Sequence, residues 1–200
     1  MVDEQLITRN ITSRPVLDAM RSVPRHLFIP VRLRGDAYAD SPLPIGLGQT
    51  ISQPYIVAYM TERIDPAPGM KILEIGTGSG YQAAILAHIG CEVFSIELRE
   101  ELAATANRIF TSLNIRGVHL KCGDGFNGWP EEAPFDAVIV TAAPEGVPER
   151  LTEQLAEGGK LIVPVGKAHS VQWLKLISKT NGLLTETELI PVRFVPMVNA

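Results

Sequence analysis

The sequence has very few cysteines. Among its 200 residues only Cys91 and Cys122 carry a thiol, and the close spacing of a redox or zinc motif is missing. Both lie in apolar stretches, where cysteine commonly behaves as a small hydrophobic residue. We therefore expect two reduced cysteines in the core.

Histidine is also scarce. His26, His88, His119 and His169 are scattered along the chain without the spacing of metal ligands. No Ser-His-Asp order suggests hydrolysis. We expect these histidines to be structural or at the surface, and we expect no metal site.

Long basic runs and long apolar runs are both missing. The formal net charge is -4, and lysine and arginine occur only singly or in scattered pairs, so nucleic acid is a poor candidate for a substrate. No stretch approaches the roughly 20 apolar residues of a membrane span. Residues 1–5 are acidic where a secretory signal would be basic. We expect a cytoplasmic protein that binds neither nucleic acid nor membranes, with a monomer favoured.

What the sequence does contain is an alternation of short β-rich runs with helical patterns. Its hydrophobic content of 46% is ample for the core of one domain. Such an alternation indicates parallel β-α-β units. The predicted strands are 71–75, 92–96, 118–122, 137–140 and 160–165, and the predicted helices are 81–88, 100–113 and 148–156.

The two ends of the chain differ from this middle part. Residues 1 to about 30 have apolar positions at helical spacing, which predicts a helical N-terminal cap. Runs at 171–178 and 188–195 flank a turn at 180–182, which predicts an antiparallel pair at one sheet edge. We therefore expect one α/β domain, Rossmann-like, with a mostly parallel seven-stranded sheet and helices on both faces. Its expected parts are 1–53, 54–166 and 167–200.

A glycine-rich loop is the strongest local signal. Gly76, Gly78 and Gly80 lie between a predicted strand and a helix, where glycine lets the backbone turn tightly and approach a ligand. A dinucleotide-binding loop would need a small residue at Tyr81, which disfavours NAD. S-adenosylmethionine has no pyrophosphate, and its loop must accommodate an amino-acid carboxylate and a ribose. A Gly-x-Gly-x-Gly loop preceded by an acidic residue suits that cofactor better.

Two carboxylates follow the next two strands. Glu97 ends the second strand, 21 residues after Gly76, where it can accept hydrogen bonds from both ribose hydroxyls. The alternative is a solvated glutamate at a strand end. Asp124 follows the third strand and can accept from the adenine amino group, although Gly-Asp-Gly alone is more often a turn. Because open α/β sheets bind ligands at their carboxyl edge, these signals together predict an S-adenosylmethionine site.

Several stretches of the chain carry a resemblance to one family. They are 23–28, 43–46, 48–54, 74–81, 123–125 and 193–196. With them the sequence resembles the protein-L-isoaspartate O-methyltransferases, also called protein repair carboxyl methyltransferases, over nearly its whole length. The resemblance implies methyl transfer from S-adenosylmethionine to the free carboxylate of L-isoaspartyl residues in damaged proteins and peptides. The glycine loop alone indicates only a broad class of methyltransferases, whereas the segment 49–54 is far more specific.

The resemblance also implies roles for individual residues. Ser52 is expected to contribute to the catalytic site. The residues expected to bind the cofactor are Thr50, Ile51, Ser52, Gly76, Gly78, Gly80, Glu97, Asp124 and Gly125, and those expected to bind the substrate peptide are Gln53, Phe194 and Val195. The cap over 1–53 then includes a substrate loop, and 54–166 is the cofactor-binding core. We assign no chemistry to 142–148.

Two interpretations of Ser52 compete. A carboxylate, with a reference pKa near ~4, is ionised at neutral pH and needs no general base, so the protein's task is alignment. The Ser52 hydroxyl, with free backbone N–H groups at the start of a helix near Pro54, can orient that anion. Alternatively Ser52 only caps the helix, which would contribute about 1 kcal/mol. One hydroxyl cannot fully serve both.

Other functions remain as alternatives. A methyltransferase of the same fold could act on another carboxylate, a small molecule or a nucleic acid. Enzymes that methylate amino groups of nucleic acids tend to have Asn or Asp, then Pro-Pro and an aromatic residue, after the fourth strand, and this chain has Thr-Ala-Ala-Pro at 141–144. A non-catalytic peptide-binding relative is a further alternative, and a cofactor-binding titration discriminates it.

Overall fold

The N-terminal part consists of short helical turns, one helix and a hairpin. The computed structural model describes residues 1–168 and 170–199, so His169, expected to be structural or at the surface, lies outside the described residues. Turns at Val2–Leu6, Ile7–Arg9, Arg25–Phe28 and Val31–Asp36 accompany helix α1 (Arg14–Ser22), and strands β1 (Leu43–Gly46) and β2 (Gln49–Ile51) follow. The predicted cap is therefore helical only in short pieces.

The central sheet begins after helix α2 (Pro54–Ile64). Its strands are β3 (Lys71–Ile75), β4 (Glu92–Glu97), β5 (Val118–Cys122), β6 (Phe135–Val140), β7 (Leu155–Val165), β8 (Gln172–Thr180) and β9 (Leu183–Val192). The helices between them are α3 (Tyr81–Ile89), α4 (Glu100–Ser112) and α5 (Glu149–Glu153).

The sheet has seven strands in the order β5-β4-β3-β6-β7-β8-β9. Strands β3 to β7 pair in parallel, and β8 and β9 add antiparallel strands at one edge. Asn181 and Gly182, both with positive φ, form the two-residue turn of the last hairpin. The predicted α/β fold with a mostly parallel seven-stranded sheet is confirmed.

The helix predicted at 148–156 is wrong in its second half. It ends at Glu153, and strand β7 already begins at Leu155, which pairs with Phe135 of β6. The register then shifts, so that Ala137 pairs with Lys160, because β7 carries extra residues that form a bulge. Gly158 and Gly159 therefore lie within a bulged strand and do not close a helix.

Two apolar clusters lie on the two faces of the sheet. Side chains alternate along a strand, so Ile72 joins the cluster that holds the N-terminal cap and α3, while Leu73 joins the cluster that holds α5. The first cluster contains Val16 and Met20 of α1 together with Ile85 of α3. The cap therefore shares one core with the sheet.

The two cysteines differ in their surroundings. Cys91 is buried and free, as expected, and Cys122 is free but exposed. The expectation of a core position for Cys122 was wrong, because β5 is an edge strand of the sheet and Cys122 is its last residue. Among the described residues, no helix has the length and apolarity needed to cross a membrane.

Candidate functional site

Three adjoining clefts lie at the carboxyl ends of the parallel strands. The first, about 630 Å³, is bordered by the glycine loop and Glu97. The second, about 1240 Å³, lies between Ser52 and the C-terminal segment 190–195. The third, about 410 Å³, lies beneath the glycine loop. Thr50 and Thr141 border all three, so the clefts meet at these two threonines.

The glycine loop has a backbone that other residues would strain. Gly76, Gly78 and Gly80 have φ values of 92°, 52° and 85°, in the region that glycine adopts at little cost. A Cβ on Gly76 would lie 2.6 Å from Thr141 Oγ1. Gly76 and Gly78 border the first cleft. Gly80 borders none of the three clefts; it precedes α3, and a Cβ there would lie 2.7 Å from the Phe110 ring.

Glu97 lies at the end of β4 and is only 6% exposed. Its Oε2 accepts a hydrogen bond from the Gly78 N–H at 2.8 Å, and its Oε1 accepts from the Arg99 N–H at 2.9 Å. A carboxylate oxygen can accept more than one hydrogen bond. Glu97 therefore fixes the glycine loop and can still accept from a ligand in the first cleft.

Asp124 and Gly125 occupy different positions although they are adjacent. The Asp124 carboxylate caps a short turn by accepting from the Phe126 N–H at 2.9 Å, and it borders none of the three clefts. Gly125 borders the first cleft, and a Cβ there would collide with the Ile75 side chain. Asp124 thus forms part of a turn, which was the alternative to a contact with adenine. Gly125 lets a ligand approach the backbone closely.

A hydrogen-bonded chain of buried side chains lies beneath the loop. Ser95 on β4 donates to Glu74 Oε2, and Thr77 Oγ1 lies 2.6 Å from Ser95 Oγ. Glu74 is completely buried, and its Oε1 has no partner among the described residues. The pKa of the Glu74 carboxyl is raised to about 8, mainly because the group is buried; the bond from Ser95 opposes this shift, and the charge of Glu97 adds to it.

The Glu74 carboxyl should make stability depend on pH. Because its pKa is raised from 4.5 to about 8, the folded protein holds a proton that the unfolded chain releases between these values. The free energy of unfolding should therefore fall as pH rises from 4.5 to 8, by at most about 1.4 kcal/mol per pH unit, and level off above pH 8. Glu74→Gln should remove this slope.

Urea unfolding at pH 5.5 and pH 8, without cofactor, measures this slope. The exposed Glu100→Gln is the matched control, because it removes a carboxyl from the surface. A Glu74→Gln variant with the parental pH dependence would show that Glu74 does not hold the proton.

The segment from Thr50 to Gln53 runs from the end of β2 to the start of α2. The turn of the β1–β2 hairpin has positive φ at Leu47 and Gly48, and Ile51 is buried in the core. Ser52 is half-buried and borders the second and third clefts, and Gln53 borders the second. Within the described residues the Ser52 hydroxyl makes no hydrogen bond, so it is available to a ligand.

The capping interpretation of Ser52 is wrong. The N-cap residue of α2 is Gln53, and the Tyr55 N–H donates to Asp40 Oδ1 at 3.0 Å. The first-turn Pro54 has no N–H. Of the backbone N–H groups expected to be free at this helix start, that of Tyr55 is occupied by Asp40 from the preceding loop, whereas those of Ser52 and Gln53 have no partner among the described residues.

The C-terminal segment closes the second cleft. Phe194 exchanges hydrogen bonds with the buried Gln172 side chain, through its N–H at 2.6 Å and its carbonyl at 3.1 Å. The Ala143 N–H donates to the Val195 carbonyl, and the Met197 N–H donates to the Ala143 carbonyl, both at 2.8 Å. These bonds to Gln172 and Ala143 hold Phe194 and Val195 in place. Both residues line the same cleft as Ser52 and Gln53.

Sequence reasoning missed three residues of this site. Thr141 donates to the Ile75 and Gly76 carbonyls, at 3.0 and 2.7 Å, and borders every cleft. Its position after the fourth parallel strand was the signal that could have found it. Gln172 and Asp40 act through tertiary contacts with segments distant in sequence, and nothing local marks them.

The clefts show what chemistry the site can support. Among the described residues, no group of three or more His, Cys, Asp or Glu side chains could hold a metal ion. Among the residues that the structure describes, no acidic residue or histidine lines the second cleft, whereas Arg9 and Arg193 do. Among the described lining residues, an anionic ligand there would meet no repelling carboxylate and no side-chain general base.

The sequence matches one family model along its length. The family is described as protein-L-isoaspartate(D-aspartate) O-methyltransferase, and the match covers residues 1–200. A protein-L-isoaspartate O-methyltransferase of Opitutus terrae is 59% identical, over 98% of this chain and 84% of the relative. One of Gloeobacter violaceus is 53% identical, over 98% of this chain and 96% of the relative.

Solved structures agree with these matches. A protein-L-isoaspartate O-methyltransferase superposes with a TM-score of 0.86 at 32% identity, over 95% of this chain and 63% of the other. A Plasmodium falciparum protein assigned to the same activity, in complex with S-adenosyl-L-homocysteine, superposes with a TM-score of 0.87 at 28% identity, over 100% and 97% of the two chains.

Proposed function

The chain belongs to the protein-L-isoaspartate(D-aspartate) O-methyltransferase family, and from this we infer which cleft binds the cofactor and which binds the substrate. The protein is an S-adenosylmethionine-dependent enzyme that transfers a methyl group to the free carboxylate of L-isoaspartyl residues in damaged proteins and peptides, which initiates their repair. The residues that perform each part of this reaction are our proposal.

The first cleft fits S-adenosylmethionine, which supplies the methyl group from its sulfonium sulfur. Gly76 and Gly125 keep the cleft open, because a Cβ on either would collide with its neighbours. Glu97 is almost buried yet keeps acceptor capacity, which suits vicinal hydroxyl groups. We assign cofactor binding to five residues of the first cleft, Gly76, Gly78, Glu97, Gly125 and Thr50, and to Ile51 and Ser52, which border the adjoining third cleft. We assign Gly80 and Asp124 to the support of the same loops.

The second cleft fits the substrate peptide. A carboxylate with a reference pKa near ~4 is already ionised at neutral pH, so its methylation needs no general base on the cleft wall. The Ser52 hydroxyl can donate a hydrogen bond to that carboxylate. This bond would hold the carboxylate toward the first cleft, which adjoins the second at Thr50. Gln53, Phe194 and Val195 border the cleft at positions where a peptide backbone would lie. The single observation that carries this proposal is the Ser52 hydroxyl, which has no partner among the described residues and borders the second cleft together with Thr50.

Methyl transfer to paired peptides tests the proposal. With labelled S-adenosylmethionine, an isoaspartyl peptide should be methylated, and its normal aspartyl twin of identical sequence should not. Replacing Gly76 by valine should abolish this activity, because a Cβ at that position would collide with Thr141. Equal labelling of both peptides would mean that the second cleft does not select the isoaspartyl linkage.

Further properties follow the same assignment. We propose that the protein works in the cytoplasm as a monomer, on protein and peptide substrates and not on nucleic acid. Two free cysteines support the cytoplasmic location, since free thiols are typical of reducing compartments. A net charge of -4 disfavours nucleic acid as a substrate, since its binding favours basic surfaces. We also propose that 1–53 and 54–200 fold as one domain, because they share a core.

A further inference from the structure

Arg25 is a completely buried arginine behind the site. It is 0% exposed. Its Nε donates to the Ala37 carbonyl at 2.8 Å, and its Nη2 donates to the Ser52 carbonyl at 2.7 Å. One rigid guanidinium therefore connects the N-terminal cap to the backbone of the residue that we place at the substrate carboxylate.

The same guanidinium also contacts the cofactor side of the site. Its Cζ lies 5.0 Å from the centroid of the Tyr81 ring, within the range of a cation–π contact. Tyr81 is the first residue of α3, directly after the glycine loop, and its ring packs edge-on against Phe28 at 5.3 Å. Arg25 thus contacts two of the segments that border the third cleft, at Ser52 and at Tyr81.

Packing alone does not account for an arginine at this position. No carboxylate forms an ion pair with Arg25 among the described residues, and its Nη1 has no partner there. Burial lowers the pKa of the guanidinium to about 10. A buried charge without a charged partner is costly, and an apolar side chain of similar volume is often as stable. What an apolar side chain could not do is hold two carbonyls from different segments.

We propose that Arg25 is a positioning residue for methyl transfer, which holds the Ser52 carbonyl so that the Ser52 hydroxyl faces the second cleft. The carbonyl bond restrains the backbone of residues 50–53, and the Tyr81 contact sets that segment against the glycine loop. Arg25 touches neither cofactor nor substrate. This inference rests on the function proposed for Ser52.

Two substitutions test the proposal in the full-length protein. Arg25→Lys keeps a charge but cannot bond both carbonyls, and Arg25→Met fills similar space without donors. Both should lower kcat for an isoaspartyl peptide by about 10-fold or more, because small displacements of aligned groups are costly. The Kd for S-adenosyl-L-homocysteine, measured by calorimetry, should change less than kcat, by about threefold at most, because the glycine loop and Glu97 lie outside the segment 50–53. Arg25→Lys should retain more activity than Arg25→Met.

Hydrogen–deuterium exchange provides the local measurement. In Arg25→Lys the amides of residues 50–53 should exchange faster, while those of the central strand Lys71–Ile75 should not change. Leu151→Ala is the matched control, since Leu151 is equally buried but lies in the cluster on the opposite face of the sheet. It should lower stability without changing kcat per folded molecule or exchange at 50–53.

The outcomes of these experiments distinguish the positioning role of Arg25 from the role proposed for Ser52. Unchanged exchange at 50–53 in folded Arg25→Lys, or equal losses in kcat and cofactor affinity, would overturn the positioning role. Failure of both Arg25 variants to fold would assign Arg25 to the framework alone and also overturn it. If Ser52→Ala keeps full activity while Arg25→Lys loosens 50–53 and lowers kcat, the proposed role of Ser52 fails, and Arg25 positions another group of the segment.

Discussion

Replacing Glu97 by alanine should weaken S-adenosylmethionine binding by about 1 to 3 kcal/mol, roughly 5- to 150-fold in Kd. The carboxylate is nearly buried and accepts from the Gly78 and Arg99 N–H groups. Alanine would remove the acceptor that we assign to the cofactor hydroxyls. It would also leave the Gly78 N–H without its partner, so the glycine loop would lose one of its restraints. Calorimetric titration with S-adenosylmethionine measures the change.

Glu92→Ala is the matched control for this measurement. Glu92 is the first residue of the same strand, at its opposite end, and is exposed beside His119. Its removal should leave the Kd unchanged. Glu97→Gln should fall between parent and alanine, since the amide keeps one acceptor oxygen. A parental Kd in Glu97→Ala would return Glu97 to the role of an ordinary glutamate at a strand end.

The parallel core could be predicted because each of its elements carries a local signal. Strand β3 is buried at four of its five positions and reads as a continuous apolar run except at Glu74, as central parallel strands do. Glycines bound α3 at Gly80 and Gly90, both with positive φ. Local pattern and tertiary environment agree at these residues, so both lead to the same structure.

The errors lie where tertiary contacts decide. The residues at 154–156 continue a helical pattern, yet Phe135 draws them into β7 because its N–H donates to the Gln154 carbonyl at 2.9 Å. The β1–β2 hairpin was missed because its short strands contain proline and glycine, which are depleted in strands. Its pairing of Leu43 with Ile51 becomes favourable only against the core.

The candidate site was predictable to the extent that it follows strand ends. Gly76, Glu97 and Gly125 each follow a parallel strand, and all three border the first cleft. Side chains from segments distant in sequence, such as Gln172 on β8, have no local sequence pattern that predicts their place in the site. The signal for Ser52 came from the resemblance, and local sequence alone favoured the helix cap that the structure contradicts.

Ser52→Ala should lower turnover of an isoaspartyl peptide by roughly 10- to 100-fold, the effect of losing one hydrogen bond to a charged group. The hydroxyl borders the second cleft and has no partner in the described part of the chain. Its loss should therefore fall on substrate alignment and not on folding. Steady-state kinetics at saturating cofactor measures turnover, and thermal or urea unfolding measures stability.

The stability of Ser52→Ala separates this role from capping more sharply than the sequence allowed. Since Gln53 is the N-cap and Asp40 accepts from the Tyr55 N–H, removing the Ser52 hydroxyl should change the free energy of unfolding by less than about 0.5 kcal/mol. Asp40→Ala should instead cost about 1 kcal/mol, because it removes the acceptor at the start of α2. A stability loss in Ser52→Ala equal to that of Asp40→Ala, with parental turnover, would contradict both assignments. Ser52 would then stabilise α2 after all, and another donor beside the second cleft would have to hold the carboxylate.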